Sequence, residues 1–155
     1  LTGHLVLSTL HTNDSIGAVT RMIDMGVEPY LLSSALIGVV AQRLVRSICP
    51  NCKTEFLASP EMIEKYGWQD QGKVRLSKGR GCAECYDAGY RGRMGIHEII
   101  ETNPELQRLI IANASRDDLT DYLNKHEVKL LFDDGIDRVR EGQTTIEEIW
   151  RVVNS

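Results

Sequence analysis

No run of about 18 consecutive apolar residues occurs in this 155-residue chain, so the sequence encodes no helix of membrane-spanning length. Aromatic residues make up 6% of it, too few to lay out a stacking platform for single-stranded nucleic acid. A basic excess is missing as well. The net charge is −4, from 18 Lys and Arg against 22 Asp and Glu, and the isoelectric point lies near 5.6. Residues 1–48 balance three acids with three bases, residues 49–95 carry eight bases against six acids, and residues 101–155 carry twelve acids against seven bases. A phosphate-backbone footprint needs a clustered basic surface, which this distribution does not supply. The phosphate-cradling string G-x-x-x-x-G-K-[ST] occurs nowhere, and H-E-x-x-H fails because the residue three past Glu98 is Glu101. The pairs Asp117-Asp118 and Asp133-Asp134 read as capping and helix-surface carboxylates rather than catalytic ones.

Cysteine is scarce but ordered. The four cysteines form two matched pairs, Cys49-Pro50-Asn51-Cys52 and Cys82-Ala83-Glu84-Cys85, with 29 residues between them. Each C-x2-C turn can aim two thiolates at one point, and Zn²⁺ takes four such ligands in a tetrahedron. The intervening stretch exceeds the commonest spacing of about 15–20 residues. Two disulfides, or one redox pair with two bystanders, are the alternatives. The expectation is a reducing compartment and hence zinc. Four thiolates and one Zn²⁺ add −2 to the middle of the chain, cancelling its basic excess.

Periodicity gives the organisation. Residues 4–10, His-Leu-Val-Leu-Ser-Thr-Leu, read as a buried strand, followed by a loop and a helix that Asn13 or Asp14 caps and Gly26 stops. Pro29 opens a second helix through Leu36. Residues 39–48 read as a strand with Val39, Ala41 and Val45 on one side, and residues 95–100 as a matching strand after the second cysteine pair. Residues 49–92 then form an insertion between two strands that pair. Within it, one short helix is expected at 61–66, and the remainder reads as Gly-rich, irregular and in need of a metal staple. Caps at Asn103, Ser115 and Thr145 introduce amphipathic helices, four in all, that are expected to share a small core.

Two histidines bracket the first expected strand, His4 at its start and His11 just past its end. Ligands of open α/β sheets collect at the carboxyl ends of strands, so Thr9, His11, Thr12, Asn13 and Asp14 stand where chemistry is expected. A histidine there can donate to a phosphate oxygen or orient a water, and it can equally be a hydrogen-bonded strand end.

The string Gly3-His4-Leu5-Val6-Leu7-Ser8-Thr9-Leu10-His11-Thr12-Asn13 resembles the histidine box of the secretion ATPase superfamily, the hexameric motors of type II secretion and type IV pilus assembly. Further segments resemble that family in the same order. They are Arg43-Leu44-Val45-Arg46 followed by Cys49-Pro50-x-Cys52; Gly81-Cys82-x-x-Cys85; Gly89-Tyr90-Arg91-Gly92-Arg93-x-Gly95-Ile96-x-Glu98; Asp134-Gly135; and Gly142-x-Thr144-Thr145-Ile146-Glu147-Glu148. The resemblance covers essentially the whole chain.

What the resemblance implies is an α/β chain: the C-terminal part of a RecA-like ATPase domain, with an inserted zinc-binding subdomain and a C-terminal helical bundle. Residues 1–48 are then the C-terminal portion of the core, 49–92 the zinc subdomain, 93–101 a returning core strand and 102–155 the helical subdomain. His11 and His4 are the implied catalytic histidines, with His11 nearer the terminal phosphate. Arg91, Arg93 and Thr12 are implied contacts to nucleotide or to a neighbouring subunit. Cys49, Cys52, Cys82 and Cys85 are the implied ligands of a structural Zn²⁺. ATP and Mg²⁺ serve the parent protein, a homo-hexamer on the cytoplasmic face of the bacterial inner membrane, held there by platform and cytoplasmic-domain proteins of the machine. The chain has no initiator methionine and is expected to be a fragment whose phosphate loop and acidic Mg²⁺-binding strand end lie upstream, so that it does not hydrolyse ATP alone. Type II secretion is the leading expectation and type IV pilus assembly the alternative. A zinc-ribbon nucleic-acid module is the alternative from another class, and the charge distribution speaks against it.

Overall fold

The computed structural model describes residues 3–154. Its helices are α1 (Ser15–Asp24), α2 (Pro29–Ala35), α3 (Pro60–Lys65), α4 (Pro104–Ile111), α5 (Arg116–Lys125), α6 (Leu131–Arg140) and α7 (Ile146–Val153). Its strands are β1 (Gly38–Ile48), β2 (Lys53–Leu57), β3 (Arg75–Gly79) and β4 (Tyr90–Glu101). β1 pairs with β4, and β2 with β3. The described residues form two compact units, one of those up to Gln42 with His97–Leu131, the other of Arg43–Ile96 with Phe132 onward.

In the first unit, α1 starts where Asp14 turns extended and its carboxylate accepts the Gly17 N–H at 2.7 Å, satisfying one of the helix's orphan donors. Pro29 stands in the first turn of α2, where its missing N–H costs nothing. Asn103 caps α4 by accepting from Leu106 N–H, and Ser115 and Asp118 close a reciprocal capping box on α5. The apolar stripes of these helices meet in one core: Ile16, Val19, Leu32, Leu106, Ile110, Leu119, Tyr122 and Leu123, with Ile100 from β4.

The expected strand at residues 4–10 is absent. These residues have no regular structure, and Leu5, Val6 and Leu7 are 73%, 78% and 89% exposed. The composition suits a buried strand, but a strand exists only through hydrogen bonds to a neighbour, and neither strand pair among the described residues includes this segment.

The second unit also departs from expectation. The insertion contains a regular antiparallel hairpin, with Lys53 opposite Gly79 and Leu57 opposite Arg75. β2 is only five residues long, with Lys53 and Glu55 exposed and Thr54 and Phe56 half-buried between them, a period too short to stand out in the sequence. The four C-terminal helices do not share one core: α4 and α5 belong to the first unit, and α6 and α7, from Phe132 on, to the second. α6 and α7 close on each other at Gly135, where a Cβ would stand 2.8 Å from Ile149 side-chain carbons. That contact accounts physically for the glycine of the Asp134-Gly135 pair.

Candidate functional site

The first cysteine pair leaves the end of β1, and the second occupies a short turn just before β4. The Cys49 N–H donates to Gly89 O at 3.0 Å, and the Arg80 N–H to Cys52 O at 3.1 Å, so each knuckle is tied to the other's flank. Gly79 and Gly89 make the approach possible: a Cβ on Gly79 would stand 2.0 Å from Gly89 O. Beyond Cys85 the chain turns through left-handed Tyr86 and Asp87, and the Asp87 N–H donates back to Cys82 O at 3.0 Å.

All four Sγ atoms lie within 4.8 Å of one another. The separations Cys49 to Cys82, Cys52 to Cys85 and Cys82 to Cys85 are 3.9, 3.9 and 3.7 Å. A tetrahedron of thiolates at about 2.3 Å from a central Zn²⁺ has an S···S edge of about 3.8 Å, whereas a disulfide needs about 2.05 Å. All four thiols are free. The donor set fits one zinc ion.

The surroundings orient the ligands. Asn51 Nδ2 donates to Cys82 Sγ at 3.3 Å, and the Cys82 and Gly89 N–H groups each donate to Cys85 Sγ at 3.3 Å. The Asn51 amide draws the half-buried Cys82 thiol down to about 6 against opposing burial, and burial pushes Cys52 up to about 11. Cys49, Cys52 and Cys85 are buried. Four thiolates fill a tetrahedron and leave no position for water, so Cys49, Cys52, Cys82 and Cys85 would hold the ion as a staple.

His4 and His11 are exposed, on the segment without regular structure. His11 and Thr12 line an open depression of about 360 Å³ in the first unit, together with Asn13, Asp14, Arg21 and Arg116. Thr12 Oγ1 donates to Asp14 O at 3.2 Å, and Arg116 pairs with Asp14. Arg91 and Arg93 are exposed near the start of β4, and Arg91 pairs with Glu84 at 2.9 Å. Of the expected site residues, His4, His11 and Thr12 belong to the first unit, and the cysteines with Arg91 and Arg93 to the second.

Two buried carboxylates were not recognised as site-building residues from the sequence. Glu148 of α7, its side chain fully buried, accepts from Arg46 N–H, Nε and Nη2 at 2.9, 3.0 and 2.7 Å, and from Arg151 Nε and Nη2 at 2.9 and 2.6 Å. Burial raises its carboxyl, but the Arg151 and Arg46 guanidiniums outweigh that and hold it at about 2. Arg46 also stacks on the Tyr90 ring at 4.3 Å, and Tyr90 OH bonds Thr145 Oγ1 at 2.6 Å. The second carboxylate, Glu98, is 3% exposed and accepts from Ser15 and Leu131. Both glutamates stand in strings that carry the family resemblance, which was the available signal.

A family model described as type II/IV secretion system protein matches residues 1–151. Type II secretion system ATPase E of Vibrio cholerae serotype O1 is 46% identical over 152 residues, covering 98% of this chain and 30% of that protein. Type II secretion system protein E of Pseudomonas aeruginosa is 47% identical over the same shares. Type IV pilus assembly ATPase PilB of Thermus thermophilus is 44% identical, over 96% of this chain and 17% of PilB. The chain spans 30% or less of the length of these relatives. It belongs to the type II/IV secretion system protein family.

Proposed function

We propose that this chain is the C-terminal part of a hexameric ATPase that powers type II protein secretion by driving pseudopilus assembly. The observation that carries the reading is the match of nearly the whole chain, at 46% identity, to a protein named as a type II secretion ATPase. In this reading residues 1–48 and 93–101 belong to a RecA-like core and residues 49–92 are its zinc subdomain, while the helices of 102–155 divide between the two units. Regions of the parent outside this sequence supply the phosphate loop and the carboxylate that holds Mg²⁺. His11 approaches the terminal phosphate and His4 supports it, while Thr12, Arg91 and Arg93 contact nucleotide or the adjacent subunit. Zinc is structural. The hexamer works at the cytoplasmic face of the inner membrane through platform and cytoplasmic-domain partners, and no helix among the described residues is long and apolar enough to cross a membrane.

The isolated 155-residue chain is expected to hydrolyse ATP at background rate. In the full-length parent, His11→Ala lowers kcat by about 100-fold, the scale of losing one aligned donor at a developing charge. Unchanged hydrolysis in that variant would remove His11 from the mechanism. The similarity to PilB favours a second assignment, type IV pilus assembly. Deleting the parent gene decides between them: lost secretion with intact pili supports the first, lost pili with intact secretion the second.

A further inference from the structure

Glu98 is a buried carboxylate with no part in the metal centre. Its Oε1 accepts the Ser15 N–H at 3.1 Å and also the Ser15 hydroxyl, and its Oε2 accepts the Leu131 N–H at 3.2 Å. Ser15 is fully buried and is the first residue of α1; Leu131 is the first residue of α6. One carboxylate thus receives N–H groups at the starts of two helices, where the macrodipoles favour a negative charge. A carboxylate only accepts, and here both oxygens face donors.

The residue anchored this way lies four positions past His11. Between them Thr12 Oγ1 donates to Asp14 O, and Asp14 divides its oxygens between the Gly17 N–H and Arg116. Residues 11–14 therefore exit into a fixed point, although residues 4–10 before them have no regular structure. We propose that Glu98 is a positioning residue for His11: its buried carboxylate pins Ser15 and so fixes where the loop 11–14 holds the imidazole. The proposal rests on the reading of His11 as a residue of the nucleotide site.

Gln at 98 keeps the shape but turns one acceptor into a donor facing an N–H. Ser15→Ala removes the hydroxyl contact alone and leaves both backbone donors paired. In the full-length parent, Glu98→Gln is expected to lower kcat for ATP by roughly ten- to a hundred-fold, the scale of a small misplacement of a reacting group, with KM little changed. Ser15→Ala gives a smaller fall in the same direction. The discriminating readout is the same pair of substitutions placed on His11→Ala, where neither should lower kcat further, because the group being positioned is gone. Full multiplicative losses in that background would show a merely structural role and overturn the proposal. Wild-type kcat in both single variants, with His11→Ala sharply slowed, would overturn it while leaving the reading of His11 intact. An unaffected His11→Ala enzyme would remove that reading and the proposal together. Should Glu98→Gln fail to assemble, the Ser15→Ala pair decides alone.

Discussion

Replacing Glu148 by Gln should destabilise the second unit by a pH-dependent amount that the structure sets. The carboxylate has no solvent exposure and takes five hydrogen bonds from two guanidiniums and one backbone N–H. Its carboxyl lies at about 2 against an ordinary 4.5. That gap corresponds to on the order of 3 kcal/mol of folding free energy. Because the folded value is depressed, the contribution is complete above about pH 4.5 and is lost as pH falls toward 2. Gln carries no charge and sets its own N–H against an arginine donor, so the variant forfeits the contribution at every pH. Urea unfolding followed by tryptophan fluorescence is the assay, since both tryptophans, Trp68 and Trp150, lie in this unit. Wild type should exceed the variant by about 3 kcal/mol at pH 7 and by about half of that at pH 3. A difference under about 1 kcal/mol at pH 7, or one that does not narrow in acid, would refute the assignment of that energy to the ionised pair.

Elemental analysis should find one zinc per chain. Chelation should raise hydrogen exchange across the second unit, α6 and α7 included, while α1, α2, α4 and α5 keep their protection; equal loss everywhere would show the metal to be part of a common core. Gly79→Ala should lose zinc, because its Cβ would overlap Gly89 O, and full metal content in that variant would contradict the close approach. In metal-free protein at pH 7, iodoacetamide should label Cys82 well before Cys52, since a thiol near 6 is mostly thiolate and one near 11 is not. Asn51→Ala should slow the labelling of Cys82; an unchanged rate would remove the amide as the cause.

The elements that the sequence displayed well carry their own local signals. Asp14, Asn103, Ser115 and Thr145 cap the helices as read, because a cap is a contact across three residues. The cysteine set was legible for a related reason: ligand chemistry and two short turns settle it without knowledge of the rest. The failures are long-range. Residues 5–7 have the composition of a buried strand, but burial depends on a neighbour that composition does not specify. The β2–β3 pairing joins residues 18 to 26 positions apart, a partnership that no local signal specifies. Glu148 stands three residues past the cap Thr145, where a capping-box glutamate would reach back to the cap N–H, yet its carboxylate turns to Arg46, 102 residues earlier. Glu98 reads as half of a failed metalloprotease motif, and only the fold brings Ser15 and Leu131 to it.

The zinc insert and the last two helices belong to one unit, and the bonds show why the metal would matter beyond its own loop. β1 and β4 enter the cysteine knuckles at Cys49 and Gly89, where the Cys49 N–H pairs with Gly89 O. One residue along β4 from Gly89 is Tyr90, and three residues back along β1 is Arg46, the two groups that receive the start of α7 through Thr145 and Glu148. The Ile48 N–H donates to Gln143 O, and Thr144 Oγ1 to Arg46 O, within the same few residues. A thiolate cluster that fixes the knuckles thus fixes the strand ends on which α7 is hung. The strings Arg43-Leu44-Val45-Arg46, Gly89-Tyr90 and Gly142-x-Thr144-Thr145-Ile146-Glu147-Glu148 are far apart in sequence. They are parts of one knot, and the two cysteine pairs hold the end of the ribbon from which it is tied.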